Sequence, residues 1–565
     1  MVNVLENRFY YLDNFHIVLD WVSGRYSDLL TCEEGEFIRN FRLLPQASRA
    51  LLVRLVMRKG DLFRSSKLAY SEIGAIEIAI APLIELGWID RNPLLKLEAM
   101  FGLLKKTEIA HIFGSALLKN AVIKAKKTEQ LLALTTLTND ILVTQNFSSW
   151  YPESEECVYQ VCIRVICDHI KLLFFGNLHQ DWTEFVLADL GVFRYEKVTL
   201  TSLSRGFQSR KDVDDYHFLF QCRERFRQGE APEVVLKDIP TDSYESILSE
   251  GRRSKLLFQI GQHYEKNKEF TAALDVYERG NYPGSRMRII RMMELTGQFE
   301  LALVLAEAAQ RQPESEAEKQ QLQRIFPRLN RHLDRPKMPA IAKVSVPRID
   351  LSLPNLFDQT TVEERVRDHL EKNGQNGSAP ILDDAHLTHV YYVENGLINS
   401  LFGLLCWSAV FAPIPNAFFH PFHTGPADLY GPEFYQRRAV QFGECLRQLD
   451  SDQYIVTIRQ YFKDKWGIQS PFVFWPLMTE TLLDLALSCI PAHHLKHCFE
   501  RILSDIKSNR AGFPDLIQFW PDQKTYRMIE VKGPGDRLQD NQLRWINYCA
   551  SHAIPIAVCY VQWAE

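Results

Sequence analysis

The sequence predicts a multidomain protein in which a mostly α-helical N-terminal two-thirds is followed by a C-terminal α/β domain. Two observations carry this. Most of the chain reads as amphipathic helix broken by turns, whereas "PDLIQFWPDQKTYRMIEVK" (Pro514–Lys532) holds two apolar, β-prone runs around a turn, with a helix and another strand after them. A length of 565 residues, with 46% hydrophobic and 24% charged residues, suits roughly three or four folded domains.

The N-terminus, "MVNVLENRFYYLDNF", already carries Glu6 and Asp13, so it lacks the basic start and apolar run of a leader, and a cytoplasmic protein is expected. Eleven cysteines are scattered without a C-x-x-C pair. Cys157, Cys162 and Cys167 stand five apart and rotate away from one another on a helix, which argues for reduced core residues over a zinc site. Net charge is −5, but its distribution is uneven: Phe41 to Lys127 carries 15 Lys and Arg against 7 Asp and Glu. "RIFPRLNRHLDRPKMPAIAKVSVPR" (Arg324–Arg348) carries 7 against 1, and its prolines mark a connector.

In chain order, residues 1–40 are an aromatic N-terminal region of irregular pattern. Residues 41–127 are expected to form a DNA-binding region: "QASRALLVRLVMRKGDLFRSSKLAYSEIGAIEIAIAPLIELGWI" alternates short helices with turns and ends in a Gly-Trp-Ile able to begin a β-wing, a winged-helix-like order. "PLLKLEAMFGLLKKTEIAHIFG" then reads as two short helices in a SAP-like pattern, with Lys105 and Lys106 at the turn between them. Residues 128–250 are expected to connect helically. In 251–335, "FTAALDVYE" (Phe270–Glu278) and "FELALVLAE" (Phe299–Glu307) recur 29 residues apart, each with an aromatic followed by Ala three residues on, so tetratricopeptide-like helical repeats are expected. Residues 336–388 hold a linker and the start of the α/β domain, which fills 389–565.

The hairpin carries the chemistry. If Trp520 closes against Thr525 across "PDQK", Asp515 falls opposite Glu530, and directly opposed side chains have Cβ atoms about 4.5–5.5 Å apart. Alternation puts Glu530 and Lys532 on one face and Val531 on the other. Two facing carboxylates need a proton or a cation between them, and such oxygen sites suit Mg²⁺ or Mn²⁺. A lysine beside them can orient water or steady phosphate charge, which together is equipment for phosphodiester hydrolysis. The other reading is an ordinary salt-bridged hairpin. Asp522/Lys524 and Asp505/Lys507 repeat the triplet spacing without the strand or the upstream Pro-Asp.

Two further polar groups join this pattern. Leu538, Gln542, Trp545 and Cys549 share a helical face, which aims the Gln542 amide toward the sheet. Glu394 is the one charged residue in "THVYYVENGLINSLFGLLCWSAVFAP", on a face with Leu397, Ile398, Leu401 and Leu405; an unpaired buried carboxylate there needs a metal or an amine, unless it fringes the helix start and meets water. Asn395 and Asn399 weaken a membrane reading of that run. In "PAHHLKHC", His493 with His497 and His494 with Cys498 have zinc-capable spacing, but without adjacent ligands they read as ordinary helix or DNA-facing residues.

"PDLIQFW…IEVKGPGDRLQDNQLRWI" resembles the VRR-NUC branch of the PD-(D/E)XK nucleases, and nearly the whole chain resembles a bacterial member of the Fanconi-associated nuclease family. The resemblance implies that Asp515 and Glu530 ligate metal, two Mg²⁺ or Mn²⁺ ions, with the main-chain carbonyl of Val531. It implies that Lys532 serves the attacking water, that Glu394 is a further carboxylate on the first helix of the nuclease fold, and that Gln542 braces the site. The implied substrate is branched double-stranded DNA with a 5′ flap, cut near the junction, with 5′-to-3′ exonuclease activity and a role in interstrand crosslink repair at the bacterial nucleoid. The ubiquitin-binding zinc finger of eukaryotic relatives is not expected, since no cysteine pair has ligand spacing.

For DNA contact the first candidates are Arg54, Arg58, Lys59, Arg64 and Lys67, then Lys105 and Lys106, all phosphate-reaching residues of an enzyme that reads shape. The alternatives are a Holliday junction resolvase, which uses the same chemistry in a symmetric dimer, and a non-catalytic branched-DNA-binding scaffold. Long N-terminal DNA-binding and repeat regions favour asymmetric flap recognition.

Overall fold

The computed structural model describes residues 7–119, 122–137, 144–180, 193–201, 204–337, 345–354, 360–372, 388–431 and 433–564. It divides into two compact units, one of residues 1–192 with 207–213, the other of 193–206 with 214–565. Among the described residues no helix is long and apolar enough to cross a membrane.

The first unit opens on helices where the sequence pattern looked irregular: α1 (Tyr10–Tyr26) and α2 (Cys32–Leu43). Tyr11, Phe15, Val18, Leu19, Val22 and Tyr26 lie on the buried face of α1, a helical period obscured in the sequence because tyrosines carry part of it and Asn14 is buried among them. Thr31 and Glu34 form a capping box at the start of α2, each side chain accepting the other's backbone N–H. Next come α3 (Gln46–Val56), β1 (Leu62–Arg64), α4 (Ile76–Glu85) and β2 (Ile89–Arg91).

Gly-Trp-Ile does lead into a wing strand, β2. Its partner is β3 (Val158–Val161), which lies between β1 and β2 and pairs antiparallel with both. A strand thus stands in residues expected to connect helically; "VYQV" is too short for its alternation to outweigh helical surroundings. The SAP-like pair is α5 (Leu97–Leu103) and α6 (Lys106–Lys119), with Lys105 at the turn. Met100, Phe101, Leu104, Ile109 and Leu117 form one core with Leu134 and Phe147.

Helix α7 (Lys127–Leu137) belongs to the first unit, and in the second unit α8 to α12 are consecutive paired helices. They are α8 (Ile247–Lys266), α9 (Phe270–Glu278), α10 (Ser285–Leu295), α11 (Phe299–Arg311) and α12 (Glu316–His332). The recurring segments are α9 and the start of α11, and the equivalent alanines Ala273 and Ala302 are fully buried. Gly261 lets α8 and α9 close on each other, since a Cβ there would lie 2.6 Å from the Tyr277 ring.

This unit also holds a five-stranded sheet ordered β4-β8-β7-β6-β5. Its strands are β4 (Arg348–Pro354), β5 (His389–Tyr392), β6 (Leu516–Trp520), β7 (Thr525–Lys532) and β8 (Ile556–Ala564). β5, β6 and β7 are antiparallel neighbours, whereas β8 runs parallel to β7 and β4. Helix α13 (Val362–Lys372) buries Val366 and Leu370 with Leu516, Ile529 and Val531 of the sheet. Much of the connector expected within 336–388 lies outside the described residues. α14 (Leu397–Leu405) is buried along its length, and α15 (Asp540–Ser551) connects β7 to β8.

Candidate active site

Trp520 pairs with Thr525 and Leu516 with Ile529, so the register is the one read from the turn. A three-residue 3-10 turn, Pro521–Gln523, and the left-handed Lys524 (φ 51°) close the hairpin. Asp515 ends the chain's approach to β6, and its Oδ2 accepts the Val531 N–H at 2.8 Å. Glu530 is 1% exposed and its Oε1 lies 2.7 Å from Lys532 Nζ. The approach is poorly aligned, and this buried oxygen has no hydrogen-bond partner.

Burial pushes the Asp515 carboxyl up to about 6, against the Val531 N–H and Lys532, which lower it. Burial, then the charge of Asp515, pushes Glu530 up to about 7, against Lys532. Two carboxylates that both resist ionisation beside each other are a site short of positive charge. Among the described residues no three His, Cys, Asp or Glu side chains converge as a cage. The set fits a partly hydrated hard cation, which takes one or two carboxylates, water and substrate phosphate.

Glu394 stands differently from expectation. It is exposed and lies in the turn before α14, because the helix starts only at Leu397; it does not share the buried face of Leu397, Ile398, Leu401 and Leu405. Its Oε2 accepts the Tyr392 hydroxyl at 2.5 Å and its Oε1 the Asn395 amide at 3.2 Å. Its charge still raises the proton affinity of both Asp515 and Glu530, so it belongs to their surroundings. Glu363, in the first turn of α13, raises Asp515 as well. Nothing in its solvent-like sequence, "TVEERVRDHLEK", marks it.

Gln542 is half-buried, and its Oε1 accepts the Gln539 N–H at 2.8 Å in a capping box at the start of α15. The amide oxygen thus serves the helix end instead of pointing at the sheet, and Leu538 precedes the helix. Trp545 and Cys549 are buried as expected. The sequence singles out Asn395 only as a polar residue against a membrane span, with no signal of its contact to Glu394. His494, in the alternative metal motif, bonds the Tyr526 hydroxyl at 3.0 Å, and Cys498 is buried.

The basic candidates separate into two groups. Arg64 is 6% exposed and grips Glu108 and Glu156 with paired hydrogen bonds of 2.7–2.9 Å, so it is an internal hub and does not present itself to a phosphate. Arg54 stacks 3.9 Å over the Tyr11 ring and bonds Glu72 at 2.6 Å. Arg58, Lys59, Lys67, Lys105 and Lys106 are exposed. Arg58 donates to the Lys67 carbonyl and the Tyr70 hydroxyl, which places it beside Lys67.

Family models match residues 9–90 (FAN1, HTH domain), 94–150 (Fanconi anemia-associated nuclease SAP domain) and 449–563 (VRR-NUC domain). A Fanconi-associated nuclease 1 homolog of Pseudomonas aeruginosa is 50% identical over 559 residues, 99% of this chain and 97% of its own. The chain belongs to the Fanconi-associated nuclease family. A rice member (Oryza sativa subsp. japonica) is 26% identical over 622 residues, 98% of this chain and 62% of its own length. Among solved members of the family, the crystal structure of paFAN1 bound to 2-nucleotide 5′-flap DNA with gap is 49% identical, covers 100% of both chains and has a TM-score of 0.89. The VRR-NUC match covers the hairpin that carries Asp515, Glu530 and Lys532.

Proposed function

We propose that this chain is a metal-dependent, structure-specific DNA nuclease that cleaves 5′-flap DNA near the junction and trims 5′ to 3′, in repair of DNA damage such as interstrand crosslinks at the nucleoid. The observation that carries the reading is the juxtaposition of buried Asp515 and Glu530 across one hairpin with Lys532 2.7 Å from Glu530. The 5′-flap DNA bound by paFAN1, alike over its whole chain, supports the substrate class.

In this reading Asp515, Glu530 and the Val531 carbonyl would hold Mg²⁺ or Mn²⁺, and Glu394, in the turn before α14, would be a further carboxylate of the site. The bound cation supplies Lewis-acid neutralisation of the phosphate and an acidified water. Asp515 is kept from rotating by the Val531 N–H, so its carboxylate is preoriented. Lys532, anchored on β7 beside Glu530, orients the attacking water and steadies the charge that builds on the phosphate oxygens. Gln542 keeps the start of α15 in place through its cap. Exposed Arg58, Lys59, Lys67, Lys105 and Lys106 contact duplex phosphates.

The test is cleavage of end-labelled 5′-flap, 3′-flap, nicked and four-way-junction DNA by wild type, Asp515→Ala and Lys532→Ala, with Mn²⁺ and with EDTA. Cutting of the 5′ flap by wild type in Mn²⁺ alone is expected. Binding without cutting by all three would establish a scaffold, and paired symmetric cuts in the four-way junction would establish a resolvase.

A further inference from the structure

Asn395 joins two parts of the site that the chain sequence keeps 120 residues apart, one being the turn that carries Glu394 and the other the loop that delivers Asp515. Its Oδ1 accepts two backbone N–H groups, Gly512 at 2.7 Å and Phe513 at 3.1 Å. Because both partners there are donors, the amide orientation is fixed, and Nδ2 must face the other way. There it donates to Glu394 Oε1 at 3.2 Å, while the Tyr392 hydroxyl holds Oε2 at 2.5 Å. The Asn395 backbone is left-handed (φ 50°), a conformation asparagine tolerates better than most residues.

The surroundings tighten the arrangement. Asn399 Nδ2 donates to the carbonyls of both Asn395, at 2.7 Å, and Arg510, at 2.8 Å, closing the 510–513 loop against the start of α14. The Val393 N–H donates to the Asp515 carbonyl at 2.8 Å. The exposed Glu394 carboxylate is therefore held at both oxygens, although a surface glutamate otherwise samples several rotamers.

We infer that Asn395, with Tyr392, is a positioning residue of the metal site: it fixes the Glu394 carboxylate and registers the Gly512–Asp515 segment against it, so that both carboxylates are set in place before a metal binds. The inference rests on the reading of Glu394 as a carboxylate of the metal site. Outer contacts that orient ligands typically change metal affinity or activity by about 10–100-fold when removed.

The test uses the full-length protein and Mn²⁺ alone, titrated calorimetrically into wild type, Asn395→Gly, Tyr392→Phe and Glu394→Ala, with flap binding in EDTA and single-turnover flap cleavage against Mn²⁺ concentration alongside. Asn395→Gly keeps the left-handed backbone accessible and deletes only the amide. It is expected to weaken Mn²⁺ binding by about 10-fold or more, to leave flap affinity in EDTA unchanged, and to shift the Mn²⁺ dependence of cleavage upward so that excess metal restores much of the rate. Tyr392→Phe removes one donor and is expected to move the same two readouts in the same direction by a smaller factor; it decides the matter if Asn395→Gly does not fold. Wild-type Mn²⁺ affinity and dependence in the folded variants, with loss in Glu394→Ala, overturns the positioning role alone. Wild-type behaviour of Glu394→Ala overturns the reading beneath it.

Discussion

Glu530 and Asp515 show at single-residue scale how the site trades stability for chemistry. Both carboxyls are raised by burial, to about 7 and about 6, above ordinary values of 4.5 and 3.8. Between the ordinary and raised values the folded protein holds protons that the unfolded chain has released, so folding stability without metal falls as pH rises from about 4 to 7. Glu530→Gln removes the ionisation and is expected to stabilise the metal-free fold at pH 8 by on the order of 1–3 kcal/mol, read as a higher melting temperature with a flatter pH slope, while abolishing cleavage. A wild-type melting profile would place the charge cost elsewhere. These two residues and Lys532 were legible in sequence because strand alternation and one turn fix a hairpin register. Glu394 was legible only as a charge in an apolar run: where a helix begins depends on local turn geometry, here the left-handed Asn395, which no periodicity announces. Arg64 was misplaced for a related reason, since its two carboxylate partners lie 44 and 92 residues away.

Among the elements, the segment before β6 is confined from both sides. Gly512 has φ +95°, and a Cβ on it would lie 2.9 Å from the Asn541 backbone at the start of α15. Gly512→Ala is therefore expected to destabilise the nuclease fold by about 1–3 kcal/mol, and to lower the flap-cleavage rate at saturating DNA by displacing Asp515; equal rate and stability would show that the loop yields. Trp545 extends the confinement, its ring centroid 3.9 Å from Phe513 and its indole N–H on the Asn509 carbonyl. Such long-range closeness leaves little local signal, whereas the hairpin, α15 and the α9/α11 recurrence, each set by nearby residues, could be read directly. β3 could not: it completes a sheet from strands 70 to 100 residues away, which is a tertiary fact.

For the whole molecule, charge is concentrated locally and is not divided between the units. Within the first unit, residues 41–127 carry 15 Lys and Arg against 7 Asp and Glu, and the second unit holds the buried acid pair, in a chain whose net charge is only −5. Replacing Arg58, Lys59 and Lys67 together by Gln is expected to weaken flap binding and lower the salt slope of log affinity by as much as about 3, with the single-turnover rate at saturating DNA preserved. An unchanged slope would remove this surface from the DNA interface. The helical-repeat helix α12 reaches the nuclease portion through Arg324, which bonds Asp540 at 2.8 Å on the first residue of α15, a cross-element contact that composition and periodicity do not show. Metal-dependent flap cleavage is assigned to the Asp515–Glu530–Lys532 cluster. The most direct measurement is single-turnover cleavage of 5′-flap DNA in Mn²⁺ by Asp515→Asn and Glu530→Gln at protein concentrations where each is shown to bind the flap as wild type does. Wild-type binding with cleavage reduced by at least about 10²-fold is expected; undiminished cleavage by either variant would contradict the assignment.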